Sequence, residues 1–202
     1  MGRENQRIQQ AFTLFDAYNQ QDPNTFVWEE TSYPQEYFMG LKLHEWVLKL
    51  DPQANEVLLL ASRCQHIGRW ELARTAYPEG REGYLKWRKA LAKHHATVAT
   101  GILQKVGYEQ AIIERVEDII LKRKLKVDGD VQTMENALCL VFLAYQYESF
   151  HREYPSKIVN ILRKSLLKMD EKGHAFALKL SYSEEGGAYI QEALQEITRD
   201  RL

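Results

Sequence analysis

The stretch "EVLLLASRCQHIGRWELAR" (Glu56 to Arg74) decides how this chain folds. Its first half, Val57 to Ile67, is apolar on nearly every side and lacks the period-two alternation of a half-buried strand, so it reads as a central buried helix. From Arg69 onward the residues turn charged and aromatic, with Arg69, Trp70, Glu71 and Arg74 in quick succession. His66 stands at the junction, beside Gln65. A histidine there is either a hydrogen-bonded core residue or a ligand or general base. Its neighbours favour the second reading, and Glu71 joins it as a candidate catalytic group.

Working outward, the pattern stays helical. Gln6 to Asn19 carries Ile8, Phe12, Phe15 and Tyr18 or Asn19 at helix spacing. "DPNTFVWEETSYP" (Asp22 to Pro34) reads as a loop whose Phe26, Val27 and Trp28 pack as a cover. Pro34 opens a helix through Tyr37, Leu41, Trp46 and Leu50 that ends at "DP" (51–52). "TAYPEGREG" (Thr75 to Gly83) is turn-rich. A long helix follows with Tyr84, Leu91, His95, Val98 and Ile102 on one stripe, closed by Gly107. His95 lies on that stripe and faces inward, whereas His94 falls off it and is expected at the surface. Further helices are expected over Gln110 to Leu125, Val131 to Phe150, Pro155 to Lys168, Gly173 to Leu180 and Glu184 to Arg201. No run of alternating strands is expected. The reading is a single all-α domain over 1–202, with its core at about 34–180 and the terminal helices packed on it.

Composition narrows the functional classes. The chain has 202 residues, 45% hydrophobic and 27% charged, with a formal net charge of -1. That is the profile of a soluble globular protein, and nothing global calls for nucleic acid. Any anion site must come from local clustering. Cys64 and Cys139 sit in apolar runs, which points to buried thiols in a reducing compartment, the cytoplasm. No CxxC pair suggests thiolate zinc. The N-terminal "MGRENQRIQQ" lacks an apolar signal core and the Ser or Thr of a myristoylation signal, and no run is long enough to span a membrane.

Local clustering does occur. Arg63, Arg69, Arg74, Arg81, Lys86 and Arg88 fall within 26 positions, interleaved with Trp70, Tyr77, Tyr84 and Trp87. Arginine offers a planar fork for phosphate, and an aromatic face can stack a ring. The competing reading is a set of surface ion pairs with Glu71, Glu79 and Glu82. The basic run "LKRKLK" (Leu121 to Lys126) reads as a solvated helix end.

Two short motifs resemble known signatures. "HIGR" (His66 to Arg69) resembles the HIGH motif of class I aminoacyl-tRNA synthetases, and "KMDEK" (Lys168 to Lys172) resembles their KMSKS motif. That family is built on a parallel sheet of strands alternating with helices. Here the residues between the two motifs are helical, and no glycine-rich strand–loop precedes His66, so the likeness excludes itself. "LLLASRCQHIGR" also resembles the "AALLHDIGK" helix of HD-type phosphohydrolases, which hold a divalent metal in an all-α bundle. His44 lies 22 residues ahead of His66, "HHATVATGILQKVGY" (His94 to Tyr108) resembles the helix that follows, and "ENALCLVFL" (Glu135 to Leu143) falls where the last acidic ligand would lie. The His-Asp pair itself is absent, since Gln65 and His66 occupy its positions.

A longer resemblance covers most of the chain. "RCQHIGRWELARTAYPEGREGYLKWRKALAKHHA", with "QTMENALCLVFL" and "KMDEKGHAFAL", resembles the family called domain of unknown function 4202, itself similar to HD-fold proteins. Residue by residue it marks His66, Arg69, Trp70, Arg74, Tyr77, Pro78, Arg81, Tyr84, Trp87, Arg88, His95 and Glu135. The chain departs from it at Asn136 and Ala144, where acids are expected.

The resemblance implies an HD-like fold and a metal-dependent phosphohydrolase acting on a nucleotide or other phosphorylated small molecule. His66, His95 and Glu71 would be catalytic. Arg63, Arg69, Trp70, Arg74, Arg81 and Arg88 would bind the ligand. One divalent transition metal (Mn, Fe or Zn), if held, would take His66, His95, Glu135 and His44. The competing expectation is a non-catalytic module of the same fold, without metal, that binds a phosphorylated ligand, RNA or a protein. Nucleic acid rests only on the local cations.

Overall fold

The computed structural model describes residues 2–199, with side chains from 6 to 199. Helix α1 (Gly2–Asn19) buries Ile8, Ala11 and Phe15 along one stripe. The Asp22 carboxylate then accepts from the amides of Asn24 and Glu36, both at 2.9 Å. It thereby ties together the two ends of a β-hairpin, β1 (Thr25–Trp28) and β2 (Thr31–Pro34), in which Thr25 faces Pro34 and Trp28 faces Thr31. The segment expected as a loop is thus a hairpin. Its two turn residues, Glu29 and Glu30, hold φ of 47° and 65°. A two-residue turn with both residues left-handed matches the twist of the strands, but Asn-Gly usually marks it, so Glu-Glu conceals it. The covering role holds for Phe26 and Trp28, whose ring centres lie 4.9 Å and 6.1 Å from that of Phe38, while Val27 on the other strand face is exposed.

Helix α2 (Gln35–Leu50) follows, then α3 (Glu56–Cys64), whose first turn is capped by Asn55 accepting from the Leu58 amide at 3.0 Å. Helix α3 packs on α1, on α2 and on α5 (Gln110–Ile120). Leu58, Leu60, Ala61, Cys64 and Ile67 are wholly enclosed. The apolar run is therefore a central helix, as its pattern requires. Two short 3-10 turns, Arg69–Glu71 and Arg74–Ala76, lead to the long helix α4 (Gly80–Val106), closed by Gly107 at φ 85°. On its inner stripe Leu91, His95 and Ile102 are buried, but Tyr84 is exposed. Helix α5 stops five residues before its expected end at Leu125: Lys122, Lys124 and Lys126 adopt φ of 56°, 59° and 74°, which no helix accepts.

The chain divides into two compact units, residues 1–123 and 124–202. In the second, Asp128 caps α6 (Gly129–Val141), and the expected continuous helix to Phe150 is broken by a π-helical turn at Phe142–Gln146 before α7 (Tyr147–Glu153). Helices α8 (Ile158–Lys168), α9 (Glu171–Ala177) and α10 (Glu184–Arg199) complete it, with α10 packed on α8 and α6 on α9. The expected end of the last helix at Arg201 lies outside the described residues. The chain is all-α apart from the hairpin. Among the described residues no helix is long and apolar enough to cross a membrane. Cys64 and Cys139 are buried and not joined in a disulfide, and burial pushes the Cys64 thiol up, so it stays protonated.

Candidate functional site

The candidate site grows from the turn that ends α3. Gln65 donates to the Ile120 carbonyl at 3.0 Å, which ties the end of α3 to the end of α5. Gly68 then takes φ of +68°, and its amide points at the Asn19 side-chain oxygen at 3.4 Å. A Cβ at Gly68 would lie 2.9 Å from His94 Nε2 and 3.2 Å from Tyr18 Cε1, so both the backbone angle and the crowding require glycine.

This turn aims the Ile67 carbonyl at α4, where it accepts from His95 Nδ1 at 2.6 Å. A carbonyl can only accept, so the His95 proton sits on Nδ1 and its Nε2 carries a lone pair. That Nε2 is buried without a hydrogen-bond partner among the described residues. His66, partly exposed, faces it with ring centres 5.6 Å apart.

Both imidazoles are held neutral. Burial pushes the His66 pKa well below its ordinary value, and the charges of Arg69, Lys122 and Arg88 together with His95 push it further. Burial likewise lowers His95 to about 4, with Arg69, His94 and Arg88 adding to the effect, although the bond to Ile67 opposes it. The pair thus sits in a positive field and contributes no charge of its own. Arg88 is exposed on the flank of α4.

A second chain of groups lies alongside. Glu71 accepts from the Tyr18 hydroxyl at 2.7 Å through Oε1 and lies 2.8 Å from His94 Nε2 through Oε2. Burial, then Glu71, pushes Tyr18 up to about 12. His94, expected at the surface, is only 23% exposed and sits 6.2 Å from the His95 ring. Sequence reasoning therefore missed His94 and Tyr18 as site residues; the doubled "HH" was the available signal for the first, and only a place on the α1 stripe marked the second.

Arg69 links the imidazoles to a neighbouring cleft of about 270 Å³ lined by Asn24, Gln35, Glu36, Trp70, Arg74 and Trp87 among others. Its Nε lies 3.6 Å from Glu36 Oε1, and its guanidinium covers the Trp87 ring at 5.4 Å. Trp87 in turn donates to the Leu72 carbonyl at 2.9 Å. Glu36 is 4% exposed, and its Oε2 is buried without a hydrogen-bond partner among the described residues. Burial raises its pKa to about 7, even though Arg69 and the Gln35 amide pull it back. Glu36 was not among the expected residues: it lies in the first turn of α2, far in sequence from the histidines.

The other expected residues divide. Arg74 donates to the carbonyls of Tyr77 and Pro78, both at 2.9 Å, and thereby shapes the loop as well as lining the cleft. Trp70 packs on Tyr18 with ring centres 5.9 Å apart. Arg63 is committed to Asp16 and to the Phe12 ring, and Arg81 is exposed at the start of α4. His44 donates through Nδ1 to Ser62 Oγ at 2.8 Å, since that hydroxyl already donates to Leu59, and its ring abuts Phe12.

Glu135 lies in the second unit, 3.4 Å from Lys168. Beside it, Asn136 donates to Asp170 at 2.8 Å and accepts from Gln132 at 3.1 Å. An acid at 136, as the family pattern expects, would meet Asp170 with like charge. Among the described residues no three of His, Cys, Asp and Glu gather as a metal-holding group. Among the described residues, no acidic side chain joins His66 and His95 to complete such a group.

The fold and site define an all-α protein with a neutral histidine pair in a cationic field. The chain belongs to the family described as domain of unknown function (DUF4202), whose model matches residues 9–190. No curated protein and no solved structure matches it.

Proposed function

We propose that the first unit binds the phosphate group of a small phosphorylated molecule at His66, His95, Arg69 and Arg88. The observation that carries this is the facing pair of neutral imidazoles within the field of Arg69, Arg88 and Lys122. Such a field favours an anion, and Arg88 is accessible to hold one. The free Nε2 of His95, its other nitrogen fixed by Ile67, is oriented to accept a proton or hydrogen bond from the bound group. A nucleotide fits this chemistry as well as any other phosphomonoester. The two buried thiols, not joined in a disulfide, accord with a reducing cytoplasm.

A metal-dependent phosphohydrolase of HD type is the second reading. In its favour, His95 has the arrangement of a metal-ligating histidine, with Nδ1 on a carbonyl and Nε2 open. Against it, the donor set around His66 and His95 does not fit a divalent metal, because no third ligand joins them among the described residues.

Calorimetric titration with inorganic phosphate and a panel of phosphomonoesters tests the proposal. Saturable binding is expected, weakened about tenfold or more by Arg88→Ala, in line with the ~1.5–3 kcal/mol of a hydrogen bond to a charged group. Absence of phosphate binding overturns it. Elemental analysis and hydrolysis assays on the same preparation decide the second reading: stoichiometric metal lost in His95→Ala, with turnover, favours the phosphohydrolase.

A further inference from the structure

The cleft beside Arg69 carries chemistry that phosphate binding leaves unused. Glu36 sits there 4% exposed, with Oε1 facing Arg69 and Oε2 buried without a partner among the described residues. A buried carboxylate oxygen left without a donor costs free energy, so a ligand that supplies N–H donors at this point is favoured. The volume, about 270 Å³, falls just below the range for drug-sized ligand pockets, ~300–1,000 Å³. It suits a ring better than a whole nucleotide.

Two features restrict the ring. Arg69 and Arg74 line the same cleft, so a cationic amine or guanidine would meet like charge, and the donor-bearing ligand is neutral. The same arginines favour a ligand with acceptors on a second edge. Trp70, half-buried, and Trp87 form apolar walls that suit a flat ligand. A guanine base meets all of these conditions. Its N1–H and 2-amino group present two adjacent donors, while O6 and N7 present acceptors of the kind arginine reads. Adenine offers no adjacent donor pair, and hypoxanthine offers N1–H alone.

We propose that this cleft binds a guanine base through Glu36, with Arg69 shared between the base and the phosphate held at His66, His95 and Arg88. The base site deepens the phosphate-binding reading, and on that reading the ligand is a guanine nucleotide.

The test separates the two parts by using probes that carry only one of them. Guanosine, inosine and adenosine, which lack phosphate, are titrated at about pH 8.5, where Glu36 is ionised, and inorganic phosphate is titrated separately. Guanosine is expected to bind about tenfold or more tighter than adenosine, with inosine between, since a hydrogen bond to a charged group is worth ~1.5–3 kcal/mol. In Glu36→Gln the preference should fall to about twofold or less while inorganic phosphate still binds at least as tightly, since Arg69 then loses its carboxylate partner. Equal binding of the three nucleosides, or no binding of any, overturns the guanine site whatever phosphate does. Guanosine preference without phosphate binding leaves the guanine site standing and removes the proposed function. Because the wild-type comparison already discriminates, the result does not depend on the variant folding.

Discussion

Replacing Glu36 with glutamine should make the protein less sensitive to alkaline pH, and the structure sets the size of the effect. Burial raises the Glu36 pKa from 4.5 to about 7, with Asp22 adding to the rise and Arg69 and Gln35 opposing it. The folded state therefore holds the proton more tightly than the unfolded chain. Its contribution to stability is fully present below about pH 4.5 and is lost as pH rises through about 7. At about 1.4 kcal/mol per unit, the loss across that interval is about 3 kcal/mol. The Glu36→Gln side chain would keep the size and lose the titration. Urea unfolding of both proteins at about pH 4.5 and about pH 8 gives two stability differences. The variant should gain about 3 kcal/mol relative to wild type on going from the lower to the higher pH. His95 and the other groups common to both proteins cancel in that double difference. If the difference is the same at both pH values, Glu36 ionises freely in the fold and the account of its buried, unsatisfied carboxyl is wrong.

Other consequences follow from the same geometry. His95→Asn should flatten the acid limb of the stability curve: with a folded pKa of about 4 against an ordinary 6.5, wild type loses stability as pH falls from about 6.5 to about 4, by about 3 kcal/mol. Urea unfolding of the pair across that interval shows whether the limb depends on His95. Gly68→Ala should destabilise by at least ~1–2 kcal/mol from the left-handed backbone alone, and should also displace His94, visible as a shifted His94 imidazole resonance. In the second unit, Asn136→Asp should lower the melting temperature at neutral pH and recover part of it in acid, because the new carboxylate faces Asp170 where Asn136 now donates. An Asn136→Asp protein as stable as wild type at neutral pH would contradict that hydrogen-bond assignment.

Those residues also show where the sequence was legible. Helix α3 could be read because its apolar run, Val57 to Ile67, is longer than a typical buried strand and sits among helical patterns. The end of α4 could be read because Gly107 accepts a left-handed angle that few residues do. Helical periodicity put His95 on the inner stripe of its helix, and in the structure its ring lies 5.6 Å from that of His66. The hairpin at Thr25–Pro34 was hidden because Glu29 and Glu30 take left-handed angles that their residue type seldom adopts. The early end of α5 was hidden for the same reason, since Lys122, Lys124 and Lys126 are good helix formers held in non-helical angles.

The candidate site was legible only along single elements. His95 was placed by its stripe, but His94, one position away, is drawn inward by Glu71 from a separate turn. Glu36 and Tyr18 reach the site from helices that carry no motif for it. His44 and Arg63 looked equally suitable by residue type, yet Ser62 and Asp16 engage them. Residue type and spacing cannot reveal which partner a side chain finds across the fold. The same limit explains Asn136, whose departure from the family pattern becomes intelligible once Asp170 is seen beside it.

The central claim, that His66 and His95 form a neutral pair awaiting a phosphate, is tested most directly by following their imidazole resonances during a pH titration with and without inorganic phosphate. Without phosphate both rings should remain neutral well below the ordinary histidine range, to about pH 4 for His95. With saturating phosphate both should titrate at higher pH, because an adjacent anion favours the imidazolium. Rings that titrate near 6.5 in the free protein, or whose titration phosphate leaves unmoved, would contradict the account.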